Sequence, residues 1–228
     1  MHSDPDANPV NPIPAVVMLL FLVIAAGELV LSAASAGFVG GAQGIGWRSG
    51  ALTDYAFFGQ VWDQMLAQGV WPLEHLRRFV TYPFIHFSFT HALFAGVFLL
   101  ALGKFVGEVM GALAVLVVFF TSAIIGALAY AILLNDPVPL AGAFPAVYGL
   151  IGAFTFILWV NLGRTGDNQW RAFSLIGVLV LFQLVFSVLF GTSNDWVAEI
   201  AGFATGFAIS PLVVPGGARH LLARLRQR

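Results

Sequence analysis

The chain has 228 residues, 59% of them apolar and only 9% charged, with a formal net charge of −1 and a mean hydropathy of +0.90. Soluble domains average roughly half apolar and about a quarter charged residues, so this composition excludes a soluble domain, and no nucleic-acid partner is expected. Cysteine is absent, which excludes a disulfide framework, a thiolate metal site and a cysteine nucleophile.

Residues 1–12 form a short tail with Asp4 and Asp6 and no Lys or Arg. The apolar stretch from Ile13 to Ala36 is too long for the core of a signal peptide and is expected to stay as a helix. Residues 37–83 then form a long connection. Its first part, Phe38 to Gly50, carries glycines at 40, 41, 44, 46 and 50 and reads as flexible and turn-rich. Tyr55, Phe57, Phe58, Val61, Trp62, Met65 and Leu66 follow at helical spacing. They predict one amphipathic helix, lying in the membrane interface or packed on the connection's own core.

Five further apolar stretches follow: Phe84 to Gly103, Gly111 to Leu134, Phe144 to Val160, Ala172 to Phe190 and Trp196 to Val214. Each approaches the ~20 residues that cross a bilayer core as a helix. Spanning strands would alternate polar and apolar side chains, whereas the run from Ala114 to Phe120 is apolar throughout. The expected architecture is an all-α integral membrane protein with one six-helix domain over 13–214 and a basic tail over 215–228. An even number of spans places both termini with Lys104, Arg164, Arg171, Arg219, Arg224, Arg226 and Arg228, against Arg48, Arg77 and Arg78 on the other side. That bias predicts cytoplasmic termini, in a multi-pass protein of the bacterial inner membrane. The arginine tail reads as an ordinary positive-inside anchor, or as a short basic helix drawn to anionic lipid by about 1 kcal/mol per charge.

Three motifs stand in order on these spans. The first is Arg78-Phe-Val-Thr-Tyr-Pro-Phe-Ile-His86-Phe-Ser-Phe-Thr-His91-Ala-Leu-Phe-Ala95, the second Gly142-Ala-Phe144-Pro-Ala-Val-Tyr148-Gly-Leu150, and the third Ala198-Glu199-Ile-Ala-Gly202-Phe-Ala-Thr-Gly206. Together they resemble the rhomboid intramembrane serine proteases, whose second span reads His, four residues, His, three residues, Asn. That family's fourth span opens with Gly-x-Ser-x, and its sixth reads Ala-His-x-x-Gly-x-x-x-Gly. The resemblance covers almost the whole chain and implies a rhomboid-like six-transmembrane-helix bundle with a long first loop.

In the family the span-four Ser attacks the peptide carbonyl and the span-six His takes its proton. The second His and the Asn of span two stabilise the oxyanion. Here the corresponding positions hold Phe144, Glu199 and Ala95, and only His86 and His91 remain. The resemblance therefore implies a pseudoprotease, with His86, His91, Ala95, Phe144, Tyr148 and Glu199 marking a degenerate site. No catalytic residue, metal or cofactor is expected. A five-residue step takes His86 and His91 off one helical face, unlike a zinc-binding i, i+4 pair. The alternative is a hydrolase rebuilt around His86, His91 and Glu199, with Ser88 as nucleophile. A proton or small-molecule conduit ranks last, because Glu28 and Glu199 are the only acids within the expected spans.

Small residues at 146, 149, 152 and 153 and the Gly202-x-x-x-Gly206 step permit close helix approach, which is expected to carry Phe144 towards Glu199. Inactive rhomboid relatives bind other membrane proteins, so the resemblance implies recognition of transmembrane segments within the lipid bilayer, as an accessory subunit of a larger membrane complex, a regulator or a chaperone-like factor. Phe94 and Phe98 on span two, with Phe182, Gln183 and Phe186 on span five, are the expected partner-binding face. Gln183 would be costly against lipid and useful against another helix.

Overall fold

The computed structural model describes residues 12–134, 136–190 and 194–216, with the side chains of 183–190 left aside. In chain order the helices are α1 (Ala15–Ser35), α2 (Gly41–Gly44), α3 (Trp47–Tyr55), α4 (Gly59–Gln68), α5 (Leu73–Leu76), α6 (Arg78–Thr81), α7 (Phe89–Met110), α8 (Ala112–Leu133), α9 (Phe144–Thr165), α10 (Ser174–Phe190) and α11 (Trp196–Val213). Five of them, α1, α7, α8, α9 and α11, are long and apolar enough to cross a membrane. The chain is an all-helical, multi-pass integral membrane protein in contact with the bilayer. α10 is shorter, at 17 residues, and is preceded by a 3-10 turn over Gln169–Phe173.

α9 stands at the centre, packed by α7, α8 and α11. Small residues set how closely these helices meet. A methyl group at Gly202 would run into the Pro145 carbonyl, and one at Gly206 into the Gly149 carbonyl, so the α9 and α11 backbones are in direct contact. On the other side of the bundle α1 crosses α7 where Gly96 faces the Phe21 ring, Gly103 faces Val17 and Gly107 faces Pro14.

Two expectations are corrected. The second span begins at Phe89 and not at Phe84, and it runs on to Met110. Pro83 sits in a 3-10 turn, Ser88 is extended, and its Oγ accepts from the His91 backbone N–H at 3.2 Å, an N-cap that sets the start. Lys104 does not end the helix, because Glu108 one turn on lies 3.9 Å from its ammonium and the chain turns only at Gly111, φ +93°.

The second correction concerns the connection between α1 and α7, the outer connection of the expected topology. The aromatic run at 55–66 forms no single helix, because the chain is extended between α3 and α4. There Phe57 pairs with Leu140 in an isolated antiparallel bridge, with N···O distances of 3.0 and 2.8 Å. The buried Phe57 ring packs on Phe79 and Tyr82 at 4.7 and 6.4 Å. Trp62 of α4 meets Trp71 and Phe79, each at 5.6 Å. The connection's own aromatic core thus outcompetes a continuous amphipathic helix. Arg78 seals it, donating to the carbonyls of Thr53 and Ala56 at 2.8 and 2.7 Å. The glycine-rich stretch before it is partly helical, as α2 and the start of α3.

Candidate functional site

The three motifs converge at the N-terminal ends of α7, α9 and α11. Gly142 takes φ +100°, a conformation open to glycine and poorly tolerated by other residues. A Cβ there would lie 2.6 Å from the His91 ring and 3.2 Å from that of His86. The glycine therefore serves both the turn and the close approach of two imidazoles. Its N–H donates to the Tyr82 carbonyl at 2.9 Å, and the next N–H, of Ala143, donates to His86 Nε2 at 3.2 Å. Pro145 occupies the first turn of α9, where its missing N–H costs nothing.

His86 lies ahead of α7 and is 1% exposed. Burial first, and the neighbouring His91 second, push its imidazole down to about 3, so the ring is neutral. Because Nε2 accepts from Ala143, the proton sits on Nδ1, which is buried and without a hydrogen-bond partner among the described residues. His91 stands edge-on to His86 at 5.3 Å.

Phe144 stacks face-on with His91, centroids 5.1 Å apart at 10°, and Phe87 also stacks on His91, at 5.9 Å and 14°. Tyr148, one turn further along α9 from Phe144, hydrogen bonds Glu199. Glu199 lies in the first turn of α11, where the unpaired N–H groups of the helix favour negative charge. Ala95 is fully buried and offers no polar group. Among the described residues no three His, Asp or Glu side chains come together as a metal cage.

If the Tyr148 contact holds Glu199, Glu199→Gln is expected to leave the thermal midpoint in detergent nearly unchanged. Glu199→Leu should cost about 1–3 kcal/mol, because the Tyr148 hydroxyl loses its acceptor in a buried setting. Equal midpoints for the two variants would contradict a structural hydrogen bond.

Sequence reasoning missed the polar junction beneath the outer connection. Glu28 of α1 is 4% exposed, and Arg48 of α3 grips it in a fork, Nη2 to Oε1 at 2.6 Å and Nη1 to Oε2 at 3.0 Å. Ser32 donates to Oε1 at 2.6 Å. Arg48 also donates to the His86 carbonyl at 2.8 Å, so one guanidinium ties α1, the outer connection and the histidine segment together. The available signal was an acid in a span with one arginine in the glycine-rich stretch that follows.

Of the expected partner-binding residues, Phe94 and Phe182 are exposed. Phe98 is half-buried and lines a cavity of about 30 Å³ with Phe144, Val147, Tyr148, Ile151 and Leu179. Its lining thus comes from α7, α9 and α10. The side chains of Gln183 and Phe186, like the basic tail beyond residue 216, lie outside the described residues.

A family model for the rhomboid domain matches residues 73–216, more than half of the chain. Rhomboid-like protease 3 of Toxoplasma gondii is 30% identical over 135 residues, which is 59% of this chain and 50% of that protein. The chain spans about half the length of this curated relative. The family-model match covers all three motifs and the helices that bring them together, and the chain belongs to the rhomboid family.

Proposed function

We propose that this rhomboid-family protein is a pseudoprotease that binds transmembrane segments of other integral membrane proteins, as an accessory subunit, regulator or chaperone-like factor. The observation that carries this reading is the phenyl ring of Phe144, at the family's nucleophile position, stacked on His91. A ring there supplies no hydroxyl to attack a carbonyl. Ala95 adds no donor, and Glu199 is engaged by Tyr148. A relocated nucleophile at Ser88 is disfavoured because its Oγ accepts from the His91 backbone as an N-cap.

In this reading α10 is a sixth span, which puts both termini on the cytoplasmic side of a bacterial inner membrane together with the arginine-rich tail. Among the described residues α10 leans on α9 and on the 3-10 turn before it, leaving a route from lipid to the cavity behind Phe98. A partner's helix is recognised there by Phe94, Phe98, Phe182, Gln183 and Phe186. Photo-crosslinkers placed singly at Phe98, Phe182 and Phe186 are expected to capture the same membrane protein, with controls at Leu19 and Leu116 silent. Crosslinks arising only from Trp62, Trp71 or the arginine tail would overturn lateral recognition.

A further inference from the structure

α1 and α7 are closest where Gly96 meets Phe21 and, deeper, where Gly103 meets Val17. Nearer the outer end of α7 no glycine follows, and the two helices leave a crevice of about 150 Å³ lined by Phe21, Ile24, Ala25, Glu28, Leu29, Phe89, Ala92 and Leu93. Leu29, Phe89 and Leu93 at its edge are exposed, so the crevice is continuous with the surface that these spans turn to the bilayer. Its walls are hydrocarbon. The one polar residue is Glu28, whose two carboxylate oxygens are taken by Arg48 and Ser32, so no hydrogen-bonding group is left to greet a polar guest.

We propose that this crevice is a binding slot for an acyl chain of a bilayer phospholipid. An apolar cavity of ~150 Å³ is large enough for a hydrocarbon group of benzene size and is unfavourable for water, which needs polar partners. A partner helix suits the slot poorly. Close helix packing uses small residues along both faces, whereas Phe21, Leu29, Phe89 and Leu93 are bulky and stand around a pit with Ala25 and Ala92 inside. The occupant is therefore a narrow flexible chain. It sits directly beside the Arg48–Glu28 fork, so a bound chain completes the packing of the side of α1 that carries the attachment of the outer connection. The inference is independent of whether the protein has proteolytic activity.

The full-length protein would be reconstituted with a phospholipid carrying a photoreactive diazirine in its acyl chain, and the labelled peptides mapped by mass spectrometry. Labelling of the Phe21–Leu29 and Phe89–Leu93 segments is expected to exceed, several-fold, that at the exposed lipid-facing residues Leu19 and Leu133. Filling the slot with Ala92→Leu, or separately with Ala25→Leu, should remove that excess while leaving Leu19 and Leu133 labelled as before. Labelling in the slot no higher than at Leu19 and Leu133 would overturn the proposal, a comparison that needs no variant. So would an excess that survives both substitutions, one obtained only with a diazirine-bearing free fatty acid, or a protein-to-protein crosslink from a photoreactive residue at Ala25.

Discussion

Arg48→Met is expected to destabilise the protein by about 3–5 kcal/mol, the cost of leaving one member of a buried ion pair behind. The carboxylate of Glu28 is 4% exposed and would keep only Ser32 as a partner. The His86 carbonyl would lose its donor as well. Replacing both charges, Glu28→Leu with Arg48→Met, should recover much of the loss, since a matched apolar pair leaves no unpaired charge. Reversible unfolding in mixed micelles measures all three variants. A double variant as unstable as Arg48→Met would show that the fork matters as an attachment of the outer connection and not through charge pairing. A single variant with wild-type stability would contradict the junction altogether.

Gly206→Val is the second large effect. A Cβ at this position collides with the Gly149 carbonyl, which belongs to the backbone of α9 and cannot rotate away. Overpacking a filled core costs about 1–3 kcal/mol and more where backbone must move, so the upper end of that range is expected, with α11 displaced from α9. Because Glu199 and Gly206 share α11, the shift should also break the Tyr148 contact. Gly177→Ala on α10 is the control: nothing lies within 4 Å of its added methyl, and alanine is favoured over glycine in a helix by ~1 kcal/mol. Thermal midpoints in one detergent compare the pair. Equal tolerance of the two substitutions would contradict the close approach of α9 and α11.

Five of the expected spans and the close packing of α9 and α11 were legible because they rest on local signals: long apolar runs, and glycines one turn apart at 202 and 206 that make sense only against another helix. The start of α7 was less so. Apolar character begins at Phe84, but the backbone obeys Pro83 and the Ser88 cap, which hydropathy does not see. The run at 55–66 carried a true helical period, and a tertiary pairing between Phe57 and Leu140, distant in sequence, interrupted it. The same limit hid the Arg48–Glu28 fork and the choice of His91 as the stacking partner of Phe144. Both are contacts between separate segments, fixed by three-dimensional packing and not by any spacing along the chain. Tyr148 and Glu199, by contrast, already stood together among the degenerate-site positions, and they meet in a hydrogen bond.

The central claim is that a site built around Phe144 does not cut peptide bonds. Purified protein in proteoliposomes would be incubated with a panel of transmembrane substrates that active rhomboid proteases cleave, and product formation followed by mass spectrometry. No product above that of a Ser88→Ala, His91→Ala double variant is predicted. The triple substitution Phe144→Ser, Glu199→His, Ala95→Asn should recover little, since catalytic groups need a supporting shell held to sub-ångström accuracy. Specific cleavage by the wild-type chain that is lost in the double variant would contradict the account.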